Sequence, residues 1–253
     1  PPPGTKYILG IVNGCSNILS YYICMPMHRD LNHYFFKRWS SKMAYVLGFF
    51  AADGSMLHNN RGGHFIEFNI TDRVVLYLIR TIVGSSHKIS KRPSRSPKWK
   101  DIYRIQIGSK EWFADLTRLG FTQHKSNTLR FPEVPEKYLG DFIRGYFDGD
   151  GCVYLNKLKY ADRKHKRWVM LSLFTSGSEE FLKTLQKKLR PFGIKGGSLR
   201  KKLRGFDLAL SHRDSLALYR LMYHTAEVSN LFLPRKRKKF EQAIKVLGLG
   251  SDK

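Results

Sequence analysis

The sequence predicts an α+β protein of two pseudo-symmetric halves, each with the element order αββαββα. Three observations carry this. Two segments read alike: Ala44-Tyr45-Val46-Leu47-Gly48-Phe49-Phe50-Ala51-Ala52-Asp53-Gly54 and Asp141-Phe142-Ile143-Arg144-Gly145-Tyr146-Phe147-Asp148-Gly149-Asp150-Gly151. Each is an apolar helical stretch with a Gly, a small residue four later, then Asp-Gly. Asp53 and Asp150 lie 97 residues apart, too far for a solenoid repeat and right for two copies of a small domain. The elements after each copy also follow in the same order. Finally, the positive charge is shared, with +11 in residues 1–139 and +14 in 140–253, so neither half is a dedicated basic tail.

After the first apolar helix comes a polar turn, Asn59-Asn60-Arg61-Gly62-Gly63. An alternating strand follows, with Ile66, Phe68 and Ile70 on one face and Glu67 and Asn69 on the other. Thr71-Asp72 caps a helix over roughly 72–83, which ends near Gly84. Strands occupy 86–107, and Ser109 caps a further helix that ends at Gly120. The second copy continues with a basic hairpin over about 152–174 and a helix over about 178–190, stopped by Pro191. Strands cover about 196–210, with Phe206, Leu208 and Leu210 on one face, and helices cover about 212–224 and 235–247. The halves are read as 41–131 and 140–253. A short linker at 132–139, between and beyond Pro132 and Pro135, holds them in a fixed relation. Residues 1–40 have no counterpart in the second copy and are read as an N-terminal extension packing on the first half.

The chain has 253 residues, of which 42% are hydrophobic, enough to bury a core and exclude wholesale disorder. Its net charge of +25 makes a compact body repel itself unless a polyanion is near, so nucleic acid is the first-choice partner. A ribosomal-type or membrane-surface protein is the blander alternative. Cys15, Cys24 and Cys152 form neither a metal spacing nor an even framework, which suits a reducing, intracellular setting. No apolar run approaches the ~20 residues that a bilayer requires. The start at Pro1-Pro2-Pro3, without Met, reads as a trimmed chain.

Gly48 and Ala52 are four residues apart, as are Gly145 and Gly149, so each pair shares a helix face. A stripe without side chains lets two helices approach backbone to backbone. One tight contact inside each half would explain a single stripe; two matching stripes suit a pseudo-twofold helix pair. Asp53 and Asp150 end these helices, each before a Gly able to take a left-handed cap. A carboxylate at a helix C-terminus meets the negative end of the macrodipole, costing ~0.3–1 kcal/mol. Pairing of the helices adds repulsion between the two acids. A divalent cation beside them relieves both costs, and oxygen-only ligands imply a hard ion, Mg²⁺. The run Asp148-Gly149-Asp150-Gly151 fails as a calcium loop, because Cys152 and Tyr154 occupy the next ligand positions and no Glu closes it.

On these residues the two segments resemble the LAGLIDADG motif of homing endonucleases, in the single-chain form with two motifs. The resemblance spans roughly 40–247. It implies that the motif helices form the interface between the halves. It also implies that each half offers a saddle-shaped antiparallel sheet to the DNA major groove, and that the last acid of each motif binds divalent metal. Those acids are Asp53 and Asp150, with the carbonyls of Ala52 and Gly149 also touching metal. The implied activity is a site-specific, staggered double-strand break made by a monomer on a long DNA target. Mg²⁺ is the implied cofactor, Mn²⁺ substitutes, and Ca²⁺ supports binding without cleavage. The basic residues implied near each centre are Lys125 and Lys236. The family's water-holding polar position falls on Asp72 in the first half and on Ser176 or Gly177 in the second. Ala51 stands in place of the first motif's first acid, a position that packs.

The implied recognition surface is the outer sheet face. In the first half it includes Arg61, Glu67, Asn69, Arg104 and Gln106. In the second it includes Lys157, Lys159, Lys164, Lys166, Trp168, Ser172, Arg200, Lys202, Arg204 and Asp207. Arg and Lys read guanine, Asn and Gln adenine, and Glu and Asp cytosine. The loop cations Lys91, Arg92, Arg95, Lys98 and Lys100 suit phosphates. Plain solvation is the alternative for each surface cation, and Trp168 serves equally as a core or hairpin-stacking residue. Two rival functions share the fold: an RNA maturase assisting splicing, and a non-catalytic DNA-binding regulator, whose acids are usually lost.

Overall fold

The computed structural model describes residues 29–94, 96, 98–159, 161, 164–224 and 230–249. Most of the expected N-terminal extension, with Cys15 and Cys24, therefore lies outside the described residues. The first half runs α1 (Ser41–Asp53), β1 (Gly54–His58), β2 (His64–Ile70), α2 (Arg73–Ile82), β3 (Ile89–Arg92), β4 (Ile102–Gly108) and α3 (Lys110–Arg118). The second runs α4 (Leu139–Asp150), β5 (Gly151–Leu158), β6 (Arg167–Ser176), α5 (Glu179–Leu189), β7 (Ser198–Lys202), β8 (Gly205–Ser211), α6 (His212–Tyr223) and α7 (Pro234–Leu247). Each half holds one four-stranded antiparallel sheet, ordered β1-β2-β4-β3 and β5-β6-β8-β7. The repeat expected from sequence is thus present in topology. Among the described residues, no helix is long and apolar enough to cross a membrane.

Local chemistry sets the boundaries. The side chains of Ser40, Asp72, Ser109 and Ser178 accept hydrogen bonds from the first-turn amides of α1, α2, α3 and α5. α1 is apolar all round, and every residue from Met43 to Ala51 is buried. Such a helix belongs in the interior, and α1 lies between its own sheet and α4. Phe49, Phe50, Phe142 and Phe147 are fully buried there, and each contributes roughly 1.5–3 kcal/mol by leaving water.

The seam between the halves follows the pseudo-twofold relation. A Cβ on Gly48 would overlap the Phe142 carbonyl and lie 2.9 Å from the Tyr146 amide. A Cβ on Gly145 would overlap the Tyr45 carbonyl and lie 2.9 Å from the Phe49 amide. These contacts are the same set displaced by one repeat. Only glycine permits this approach. The described part of the N-terminal segment packs on the first half: Phe35 and Phe36 sit against Trp112, whose indole N–H donates to the Asn32 carbonyl at 2.9 Å.

One local expectation is corrected. Gly54 and Gly151 do not adopt left-handed caps; both are extended, at φ −91° and −93°. They are glycines for clearance, since a Cβ would strike the ring of the Phe four residues earlier, Phe50 or Phe147. Each helix therefore passes straight into the strand that follows it.

Candidate active site and nucleic-acid face

Because the helices meet along the glycine stripes, their C-terminal ends lie side by side. A Cβ on Gly149 would overlap the Ala52 methyl and come within 3.1 Å of Asp53 Oδ2. Asp53 and Asp150, remote in sequence, thus share one half-buried site at the mouth of the seam. Burial pushes the Asp53 carboxyl up to about 7, with the charge of Asp150 adding to the rise and Lys236 and Lys125 opposing it. Burial raises Asp150 as well, against the pull of Lys125, Lys236 and Lys202. Burial holds both acids up, and the lysines around them draw both down. Among the described residues, no donor is hydrogen-bonded to either carboxylate.

Lys125 and Lys236 reach the same place from opposite sides. Lys125 starts a short 3₁₀ turn and donates from Nζ to the Ala51 carbonyl at 2.7 Å. Lys236, in the first turn of α7, donates to the carbonyls of Phe147, Asp148 and Gly149 at 2.6, 2.7 and 3.1 Å. Each ammonium meets the carbonyl end of a motif helix, where the macrodipole favours a cation. Burial lowers both lysines to about 8; Asp150 and Asp53 pull Lys125 back up, and Asp148, ahead of Asp53 and Asp150, does so for Lys236. Each ammonium also lies over a buried ring, Phe50 at 5.4 Å and Phe147 at 5.5 Å.

These groups suit a hard divalent cation. Their donors are carboxylate and carbonyl oxygens, with negative charge left unsatisfied by protein donors. The Gly149 carbonyl already accepts from Lys236, leaving one lone pair. Among the described residues no cluster of three or more His, Cys, Asp or Glu is present.

Asp72 and Ser176 sit differently from each other. Asp72 caps α2 through the Val74 amide at 3.3 Å, and its other oxygen meets Arg235 Nε of the second half at 3.3 Å. Ser176 is buried and accepts from the Ser178 amide at 3.1 Å. Strand register corrects its assignment as the Asp72 counterpart. Gly54 pairs with Phe68 and Gly151 with Phe174, so Asp72 corresponds to Ser178, the cap of α5. Strands β5 and β6 are each three residues longer than β1 and β2, and this hid the correspondence. Gly177 instead packs on the carbonyl of Ser126, beside Lys125.

The first sheet's outer face carries a polar network. Glu67 pairs across strands with Gln106, and Asn69 with Arg104. Gln106 Nε2 and Arg104 Nη1 both donate to Glu67 Oε1, at 2.6 and 3.1 Å. On the second sheet, Asp207 Oδ1 accepts from Thr175 Oγ1 at 2.6 Å and pairs with Lys202 at 2.7 Å, while Arg200 is its cross-strand neighbour. Arg61, Lys98, Lys100, Lys157, Lys159, Lys164, Lys166 and Arg204 are exposed. Lys91 is ion-paired with Asp101 at 2.7 Å, and Arg92 lies on the exposed edge strand β3. Trp168 is exposed, with Lys157 Nζ 5.0 Å from its ring centroid, so it is a hairpin residue and not a core one. Arg95 lies outside the described residues. Ser172 is a correction: it is fully buried between Met170 and Phe174 on the helix side of β6. Leu171, Leu173 and Thr175 have the outward parity.

Sequence reasoning missed a buried polar group behind the site. Arg144 is fully buried and donates to the Leu231 and Met222 carbonyls and to Asp141, at 2.7, 2.6 and 2.6 Å. Asp148 Oδ2 accepts from Tyr45 Oη and from the Leu233 amide, both at 2.8 Å. The available signal was an Arg inside an apolar helix with an Asp one turn later.

Comparison with known proteins accords with this architecture. The family model described as a LAGLIDADG-like domain matches twice, at residues 40–119 and 137–220. Among curated proteins, the chain is 25% identical over 125 residues to the uncharacterized protein MJ0398 of Methanocaldococcus jannaschii, covering 47% of this chain and 42% of that protein. It is 33% identical over 127 residues to a probable translation initiation factor IF-2 of Thermococcus kodakarensis, covering 49% of this chain and 9% of that one. The chain thus spans less than half the length of either relative. Among solved structures, it resembles meganuclease I-SmaMI bound to uncleavable DNA, with a TM-score of 0.56, 13% identity and coverage of 83% and 91% of the two chains. Meganuclease I-AabMI bound to uncleaved DNA is similar, at 0.56, 12%, 83% and 91%. So is the homing endonuclease I-WcaI bound to its DNA recognition sequence, at 0.52, 15%, 81% and 90%. With two family matches laid over two halves of the same sheet topology, this chain belongs to the LAGLIDADG-like domain family, with two repeats in one polypeptide.

Proposed function

We propose that the protein is a site-specific homing endonuclease that makes a staggered double-strand break in a long DNA target by Mg²⁺-dependent phosphodiester hydrolysis. The observation that carries this is the acid pair, Asp53 with Asp150, set at the mouth of the helix seam between the lysines Lys125 and Lys236. A non-catalytic regulator has no need to keep two costly half-buried carboxylates together.

A divalent cation, when bound, supplies Lewis-acid charge and lowers the pKa of water. Asp53, Asp150 and the carbonyls of Ala52 and Gly149 would hold it. Lys125 and Lys236 place mobile positive charge where the phosphorane oxygens gain negative charge. The two halves present their outer sheet faces to successive stretches of duplex. Arg104, Gln106 and Glu67 on one sheet, and Arg200, Lys202 and Asp207 on the other, carry base-reading chemistry. The exposed lysines of the β5–β6 hairpin and of the loop before β4 grip phosphates. The chain acts as a monomer, because both halves of the site come from one polypeptide.

The test is selection of cleaved sites from a randomised duplex library in Mg²⁺, with Ca²⁺ as the binding control. Linear products at one recurrent sequence in Mg²⁺, and bound uncut DNA in Ca²⁺, are expected. Recovery of bound but never cleaved DNA in Mg²⁺ would refute the nuclease reading.

A further inference from the structure

The two lysines reach equivalent carbonyls but are held unequally. The residue bearing the carbonyl that Lys125 meets is Ala51; its repeat equivalent is Asp148, whose carbonyl accepts from Lys236. The Asp148 side chain does what Ala51 cannot. Its Oδ2 accepts the Leu233 amide at 2.8 Å, and Leu233 is the N-cap of α7, three residues before Lys236. The same oxygen accepts from Tyr45 Oη at 2.8 Å, across the seam from α1. Asp148 is fully buried, and its Oδ1 has no partner among the described residues. A buried carboxylate left half satisfied is costly unless it does something specific.

We propose that Asp148 is a positioning residue for Lys236. It ties the entry of α7 to α4, and through Tyr45 to α1, so that the Lys236 ammonium meets the end of α4 in one place. Among the described residues, the first half has no such tie. The Lys125 turn rests instead on Gly177 of the other half, against the Ser126 carbonyl. The two strand-cutting centres are therefore mechanically unequal, and losing Asp148 disturbs only one. The inference rests on the nuclease reading for its catalytic meaning, although the tie itself can be tested without cleavage.

The experiment has two arms. In the first, limited acetylation of the free full chain is mapped by mass spectrometry for wild type and Asp148→Ala, which reproduces the first-half residue. Labelling of Lys236 relative to Lys125 rises by about fivefold or more once the tie is cut. An unchanged ratio overturns the proposal. In the second arm, duplex labelled on either strand is cut in single turnover. Asp148→Ala slows by about ten- to hundredfold the same strand that Lys236→Met slows, so nicked DNA accumulates. Equal slowing of both strands, which general loss of folded protein would give, overturns it. Asp148→Asn keeps an acceptor for both donors and restores near wild-type strand balance. Tyr45→Phe removes one hydroxyl and serves should Asp148→Ala fail to fold, with a weaker bias of the same sign in both arms. If wild type cuts no selected DNA, the nuclease reading fails while the labelling arm still decides the tie.

Discussion

Asp53→Asn should stabilise the metal-free protein while abolishing cleavage. The ordinary value of this carboxyl is 3.8, and burial together with Asp150 carries it to about 7 in the folded state. A folded value above the unfolded one means that the native state binds the extra proton between those limits. The associated stability is present in full below about 3.8 and is lost as the pH rises to about 7. Moving a carboxyl that far corresponds to at most about 4 kcal/mol. Water at the half-open mouth screens the charge, leaving roughly 1–2 kcal/mol. At pH 8 without divalent cation, the variant should unfold about 2–8 °C higher than wild type. At pH 4 the difference should vanish. Added Mg²⁺ should raise the wild-type midpoint and leave that of the variant nearly unmoved, since a cation that binds only the native site stabilises by mass action. The assays are thermal melts at the two pH values with and without Mg²⁺, beside linearisation of a target plasmid. A variant no more stable than wild type at pH 8 would refute the electrostatic account of the acid pair. Normal linearisation would refute its catalytic assignment.

Further expectations follow from the same geometry. Gly145→Ala forces a methyl against the Tyr45 carbonyl and should cost about 3 kcal/mol or more in urea unfolding, whereas Gly62→Ala meets open space and should cost only the roughly 1–2 kcal/mol of a side chain at its φ of +76°. Lys125 and Lys236, lowered to about 8, should make kcat/KM fall as the pH rises through about 8. Folding stability should rise over pH 8 to 10.5, because the unfolded lysines there hold protons that the native ones have lost. DNA affinity should drop by about three orders of magnitude or more between 50 and 200 mM salt, measured by fluorescence anisotropy in Ca²⁺. A flat response would argue against phosphate tracking by the sheets. Arg104→Ala should relax base preference at one target position by about 1–3 kcal/mol, read from a binding-site profile.

Much of this molecule was legible because its symmetry is written twice. The glycine stripes at 48 and 145, the acids at 53 and 150, and the serine and aspartate caps need only local rules, and each appears where those rules place it. Lys125 and Lys236 were found by their order in the family pattern; composition alone does not separate them from the other 43 Lys and Arg residues. The misreadings have physical causes. The sequence reading puts Ser172 on the outer face, yet the pleat fixes its side by parity with Phe174. Gly54 and Gly151 looked like left-handed caps because the commonest helix stop was assumed; clearance for an aromatic ring four residues back leaves the same letter. The Asp72 counterpart was missed because strand β6 is longer than β2, and sequence offset does not measure register.

The departures from symmetry also belong together. Ala51 corresponds in the repeat to Asp148 and Phe49 to Tyr146, and the second half carries α7, for which the described first half has only the short turn at Lys125. With one half apolar at position 51 and the other acidic at 148, the hydroxyl of Tyr45 has a single acceptor to find across the seam. Arg144, fully buried behind it, fastens the segment before α7 through the Leu231 carbonyl. An asymmetric polar tie gives the pair of halves one register, where smooth glycine stripes alone would tolerate sliding. The two candidate centres, though built from repeated parts, therefore hold Lys125 and Lys236 through different partners. Strand-resolved cleavage is therefore the measurement in which this chain should differ most from a true twofold dimer.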